Sequence, residues 1–423
     1  VRFRNAYAQS SSAFVSLGSL LTGLYPAAIP LCGLYSRGYD GVEEDPLRVD
    51  AEPAWCARLP DSRASLPGVL GIYGYETALL GTGMPALERV ARGFGTLREL
   101  PPSEGVTDWR LLLDEASGWW REHEDHPRLL VVLSSDLQVG RRSDLKRRMD
   151  LLRTVDLVYS GGKPGAEAAL ARAMGVYAQE TRRVGQAITR LIEGLPESSR
   201  RPRWVVVAST NGLSLFEKRG FRLYAHPAIS DAVVMERTTH VPLLLCPPGS
   251  TCVEARSPEL EIEDPVELLD LFPTFARLAH AMSPAGLPGR DLLSTPSGAA
   301  WTEDPARDPA LPMAWAEFGD TFVLRQGRFL LQFRGWVHNT CSVDPAVTRS
   351  LQDERVLRHP RRYTLFDVVD DPFQERDLRL LHLDTFEAMR ATMLDMRLGP
   401  AAPPALDEDQ KKVFGLTRSE GYW

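Results

Sequence analysis

The sequence predicts an α/β fold: a mainly parallel sheet covered by helices on both faces, with a small C-terminal antiparallel sheet plus a helix. Three observations carry the prediction. Apolar β-rich runs recur at residues 69–80, 129–134, 204–209 and 241–246, several of them apolar on both faces, as strands of a buried parallel sheet are. Helical periodicity lies between these runs. Beyond a Pro- and Gly-rich stretch, the pattern then changes to strict alternation of apolar and polar residues.

Taken in order, the chain opens on the strand-like "VRFRNAYA" and continues into "SAFVSLGSLLTG", which reads as a helix start. In the middle, Leu170, Met174, Tyr177, Thr181, Val184, Ile188 and Leu191 recur at steps of three and four, predicting one amphipathic helix that ends near Gly194. Residues 283–312, "SPAGLPGRDLLSTPSGAAWTEDPARDPALP", have the composition of a connecting segment. The expected division is an α/β domain over 1–290, a linker over 291–312 and a small α+β subdomain over 313–423. In that subdomain "RQGR" marks a turn between two strands, and residues 374–398 read as a helix covering the sheet.

Composition narrows the function. At 423 residues and 43% hydrophobic content the chain can bury a large core. Lys+Arg 49 against Asp+Glu 56 gives a net charge of -7, which argues against a nucleic-acid partner. Cys32, Cys56, Cys246, Cys252 and Cys341 form no CxxC pair, so neither a zinc site nor a disulfide framework is indicated. Cys246 and Cys252 flank a Pro-Pro-Gly turn and could close a small loop, although a buried thiol beside an unrelated loop cysteine is the favoured reading. No apolar run approaches the ~20 residues that span a bilayer.

The order of short motifs resembles the sulfatase family, within the alkaline phosphatase superfamily of metal-dependent ester hydrolases. "VRFRNAYAQ" with "SLLTGLYP" is similar to its first motif strand and nucleophile helix, and "LPGVLGIYGYETALLGTG" to its L-x-x-x-G-Y-x-T segment. "GVYAQETRRVGQAITRLIEGL" resembles the long helix before a buried strand. "RWVVVASTNG" resembles strand-Ser-Asp-Asn/His-Gly, and "THVPLLLCPPG" resembles VPL-x-x-x-x-PG. "PVELLDLFPTFARLA", "LPGRDLL", "YTLFDVVDDPFQERDL" and "LTRSEGYW" follow in family order. The resemblance implies a divalent cation, commonly calcium, held by acidic residues and an Asp-Asn or Asp-His pair. It also implies an aldehyde hydrate made from Cys or Ser at a helix N-terminus, a small anionic ester or sulfated glycan as ligand, and an extracytoplasmic setting.

At the positions that carry charge or chemistry this chain departs from the pattern. The nucleophile falls on Ala13, the proline on Val15 and the arginine on Leu17, and only Ser16 matches. Alanine has nothing to oxidise to an aldehyde. Ser10, Ser11 and Ser12 read as a polar helix cap, with a displaced nucleophile, Ser12 foremost, as the alternative. Thr210-Asn211 stand where the metal-ligand pair belongs, so Asn211 offers one amide oxygen and Thr210 replaces a carboxylate. The first acidic pair is expected on a strand upstream of Val1. The Pro-His position falls near Leu137-Gln138, and the histidine before VPL falls on Ala232. His226 is a candidate substitute, and Lys218 with Arg219 stand where Glu-His is common; a solvated loop is the favoured reading of each.

Three further patterns read as structure. "EHEDH" at 122–126 has His-x-x-His spacing but is followed by Pro127, which favours a connecting loop over a metal site. "YSGGKPG" at 159–165 lacks the full phosphate-loop pattern. Trp119-Trp120 read as helix packing. The expectation is therefore a sulfatase-like protein, catalytically inactive or impaired and with no cofactor, that keeps the scaffold for binding an anion or a protein partner. The alternative is an active sulfuric or phosphate ester hydrolase with a displaced serine.

Overall fold

A computed structural model describes residues 1–29, 59, 63–82, 87–101, 107–137, 165–196, 201–213, 234–249, 261–294, 312–318, 321–334 and 357–398. Lys218, Arg219, His226, Ala232, Gln138 and most of "YSGGKPG" lie outside them.

The architecture is a mixed α/β body with a separate antiparallel sheet. One sheet is wholly parallel: β2 (Glu76–Thr82) lies between β3 (Thr96–Leu100) and β4 (Arg128–Ser134). Side chains alternate across it as strand geometry requires. Leu79, Val131 and Leu133 pack on one face against helix α1 (Ala13–Thr22). Leu80, Leu130 and Val132 pack on the other against α3 (Trp109–Glu122) and the end of α4 (Ala166–Gly194). Helices therefore cover both faces.

The second sheet runs β5 (Val205–Ala208), β6 (His240–Cys246), β1 (Arg2–Tyr7), β7 (Glu261–Ile262), with β8 (Val266–Glu267) also on β1. β1 pairs parallel with β7 and β8, whereas β6 pairs antiparallel with both β1 and β5. The apolar runs at 204–209 and 241–246 are thus strands, as expected, with an antiparallel pairing that periodicity cannot specify.

Residues 69–80 are not one strand. Leu66–Ile72 form helix α2, and only Glu76–Thr82 are extended. The Ser65 hydroxyl accepts from the Gly68 N–H and donates to the Arg92 carbonyl, while Pro67 pre-sets the first turn. Helix α4 occupies the expected span with its buried face turned: Ala169, Ala173, Glu180, Val184 and Leu191 are covered and Met174 is 40% exposed.

The C-terminal sheet is the predicted one, ordered β12 (Tyr363–Asp367), β11 (Phe329–Arg334), β10 (Thr321–Gln326), β9 (Met313–Phe318), with antiparallel pairing throughout. The "RQGR" turn is a two-residue hairpin loop whose Gly327 sits at φ +54, the left-handed conformation that such turns need. Helix α7 (Leu383–Leu398) covers the sheet through Phe386, Met389 and Met393 but starts later than expected. Asp371 and Asp377 accept from the Arg376 and Arg379 N–H groups, local bonds that compete with helix formation. Gln374, at φ +53, is held by the Glu236 N–H on its Oε1.

Cys246, expected as a free buried thiol, is disulfide-bonded. The other four cysteines lie outside the described residues, so its partner does too.

Candidate anion site at the head of helix α1

β1 delivers the chain to the site. After Tyr7, the Ala8 N–H donates to the Thr239 carbonyl at 2.8 Å. The Gln9 side chain then bridges three groups: its Nε2 donates to Tyr7 O and Glu267 Oε1, and its Oε1 accepts from Leu269 N–H. Residues 9–17 are all buried. A strand that ends in a clamp leaves little freedom in where α1 starts.

Ser12 is the N-cap residue, with φ -91 and ψ 124, yet its side chain makes no capping hydrogen bond and the first turn contains no acidic residue. Ser16 is fully engaged elsewhere. Its Oγ accepts from Ser10 N–H at 3.0 Å and donates to Ser10 O at 2.9 Å. Ser10 Oγ accepts from Ser12 N–H at 3.3 Å. The buried Ser11 Oγ has no hydrogen-bond partner among the described residues. The first-turn amides of a buried helix, with their partial positive charge, are left without a capping side chain. Ala13 stands at the head of that turn and is 6% exposed.

The loop after β5 hangs on the same support. Gly212 N–H donates to the Thr238 carbonyl at 2.8 Å, next to the Thr239 carbonyl that holds Ala8. A Cβ on Gly212 would lie 2.2 Å from Arg237 O, so only glycine allows this approach. The structure therefore brings Thr210 and Asn211 to the support that carries the α1 head. Their donors are neutral. Asn211 Nδ2 donates to Gly212 O, and Ser209 Oγ donates to Asn211 O. Among the described residues no group of three or more His, Cys, Asp and Glu is placed to hold a metal ion. By themselves Thr210 and Asn211 supply fewer oxygens than the several charged or carbonyl groups a hard divalent cation takes.

Two polar networks near the carboxyl ends of strands escaped sequence reasoning. Beside Leu137, the Asp136 carboxylate accepts from Thr107 N–H, Trp109 Nε1 and Arg183 Nη2 at 2.7, 2.8 and 2.5 Å, and Arg183 also meets Glu180. Beyond β1, the Tyr7 hydroxyl donates to Glu236 Oε1 at 2.8 Å, and its ring stacks on His240 at 5.1 Å. Burial, then the Glu236 charge, pushes the Tyr7 hydroxyl well above its ordinary value. Neither network has a signature in sequence, because its members lie far apart along the chain.

"EHEDH" is a turn after α3, in which His123 Nδ1 meets Trp119 O at 2.9 Å. Trp119 is buried, and Trp120 lies under the Arg128 guanidinium at 4.1 Å, so both pack as expected.

Solved structures decide the fold. A protein in complex with its substrate D-glucosamine-2-N,6-O-disulfate matches with a TM-score of 0.59 at 13% identity, over 95% of this chain and 91% of its own. The fold is that of the sulfatases. A 2-O GAG sulfatase matches at a TM-score of 0.57 and 14% identity, over 95% of this chain and 85% of its own. A phosphonate monoester hydrolase from Silicibacter pomeroyi matches at 0.56 and 14%, over 96% and 89%. The fold is thus shared with a phosphonate hydrolase as well as with sulfatases. No protein-family profile matches the sequence, and no curated protein matches it. No helix among the described residues is long and apolar enough to cross a membrane.

Proposed function

We propose that the chain is a sulfatase-like scaffold, catalytically inactive or impaired and needing no metal, that keeps the head of α1 as a binding site for a small anionic ester such as a sulfated glycan. One observation carries the reading: a buried helix N-terminus with no capping side chain begins at Ala13, a residue with no nucleophile. Backbone N–H groups and the helix dipole favour an anion there.

Binding and turnover separate on electrostatic grounds. An anionic ester and an attacking oxygen anion repel each other, and an esterase offsets this with cationic groups aimed at the charge. Here Leu17 stands at the arginine position, Thr210 at that of an acidic metal ligand and Ala13 at that of the nucleophile. Loss of one such donor costs about 10²–10³ in rate, so loss of several leaves binding without chemistry. The disulfide at Cys246 supports an extracytoplasmic setting, where disulfides persist.

The test is equilibrium binding of inorganic sulfate and of a 6-O-sulfated glucosamine. Ser12→Asp places a carboxylate on the first-turn amides, as capping residues do, and is expected to weaken both ligands about tenfold or more while leaving the helix intact. Unchanged affinity would remove the helix head as the site. A second reading, a displaced serine nucleophile, draws on the unpartnered Ser11 hydroxyl and the uncapped Ser12. It requires turnover lost on substitution of one of these serines.

A further inference from the structure

The junction between the α/β body and the antiparallel sheet is built on buried carboxyl groups. Glu267 in β8 reaches across to β9: its Oε1 accepts the Trp315 N–H at 2.8 Å and Gln9 Nε2 at 3.3 Å. Among the described residues its Oε2 meets the Tyr25 hydroxyl alone, at 2.9 Å. Asp270 lies beside it, with Oδ2 accepting the Glu267 N–H at 2.8 Å and Oδ1 the Arg290 N–H at 2.7 Å. On the other side Glu317 of β9 accepts from the Ala27 N–H, and its own N–H donates to Gln9 O at 2.8 Å. Gln9 is thus held from both sides of the junction, immediately before Ser10–Ser12.

Among the described residues the charged and titratable groups facing this seam are Tyr25 after α1, Asp270 and Arg290 beside β8, Glu317 on β9 and Arg397 on α7. Arg290 Nη2 is 3.8 Å from Asp270 Oδ2, and Arg397 Nη1 is 3.5 Å from Glu317 Oε2. Three carboxyl groups therefore meet two guanidinium groups. Among the described residues Glu267 is the one of the three with no guanidinium in ion-pair contact, and the geometry shows how it can hold a proton without losing a bond. Both contacts on Glu267 Oε1 are fixed N–H donors. The contact on Oε2 is a hydroxyl, which can turn and accept.

We propose that Glu267 is a proton-retaining latch: protonated on Oε2 and bonded to Tyr25, it docks the antiparallel sheet on Gln9, and its ionisation loosens β9 from β8 and from the approach to α1. Burial first, and the Asp270 carboxylate second, push the Glu267 carboxyl up to about 8. Burial pushes Asp270 up to about 6 against the opposing pull of Arg290, and raises Glu317 against Arg397.

The sign follows from proton counting. In the opened seam Glu267 has its ordinary carboxyl value of about 4.5, and in the closed seam about 8. Between these the closed form holds one more proton, so docking is strongest at acid pH and weakens as pH rises through that window. Asp270 acts in the same sense up to about 6.

Hydrogen exchange in the intact chain reads this directly, in a peptide covering Met313–Phe318 and corrected for the intrinsic rate. Protection is expected to fall about tenfold per pH unit between about 6 and 8, more steeply below 6 where Asp270 adds its own proton, and to level off above 8. In Glu267→Gln, which is neutral at every pH and keeps the Oε1 contacts, protection is expected to vary with pH only through Asp270, below about 6. The infrared carbonyl band of a protonated carboxyl group supplies a second readout on the wild-type chain. It is expected at pH 7 and lost by pH 9, so the decision does not depend on the variant folding. A wild-type protection profile flat from pH 6 to 8, an equal slope in Glu267→Gln over that range, or no protonated-carboxyl band at pH 7 each overturns the latch.

Discussion

Ser16 matches the sulfatase pattern in sequence, yet its hydroxyl is committed to Ser10, donating to one backbone group and accepting from the other. Its role in the structure is to fix the turn that enters α1. Ser16→Ala leaves a buried N–H and a buried carbonyl short of a partner and is expected to cost about 1–3 kcal/mol, measured by urea denaturation. Sulfate affinity should fall far less than in Ser12→Asp, because Ser16 holds the turn and Ser12 borders the amides. Ser16 lies in the helix that the sequence predicts, but nothing in the sequence shows that its hydroxyl is already used. A side chain without a reactive group, as at Ala13, is visible in sequence, whereas a spent hydrogen bond is not.

At the scale of elements, α1 is held by both of its neighbours. Leu17 is 1% exposed in the cluster that joins α1 to β2 and β4, and Leu17→Ala is expected to destabilise the fold by about 2–5 kcal/mol on thermal or urea unfolding. The strands β4 and β5 are different in kind. Each pairs on one edge only among the described residues, and both are apolar yet only half-buried along most of their length. Half-exposed apolar edges template association. Val206 packs inward with the β1–β6 cluster and Val207 projects to the other face. Val207→Lys is therefore expected to reduce self-association in light scattering, with stability changed by about 0.5 kcal/mol or less. The strand runs themselves were readable from apolar content. Helix α2 was not, because Leu66–Ile72 and Glu76–Thr82 merge into one apolar window and only Ser65 and Pro67 mark the helix start.

At the scale of the whole molecule, the fold was readable because nine short motifs keep family order even though identity to the 2-O GAG sulfatase of the same fold is 14%. Those motifs are mostly packing and turn residues: "VPLLLCPPG" is a buried strand and its exit, and "DLFPTFARLA" is α6 (Leu271–Leu278) with its flanks. The site was readable only as a set of replacements. What now occupies its surroundings includes Arg183 on Asp136 and Trp315 on Glu267, pairs 47 and 48 positions apart that no local pattern encodes. The central claim is that this scaffold binds an anion where its relatives in fold would break an ester. The direct measurement is turnover of an aryl sulfate and an aryl phosphate by the purified chain, with and without calcium. The account predicts no hydrolysis above the uncatalysed background in either condition. Calcium-dependent turnover that disappears in Ser12→Ala would contradict it.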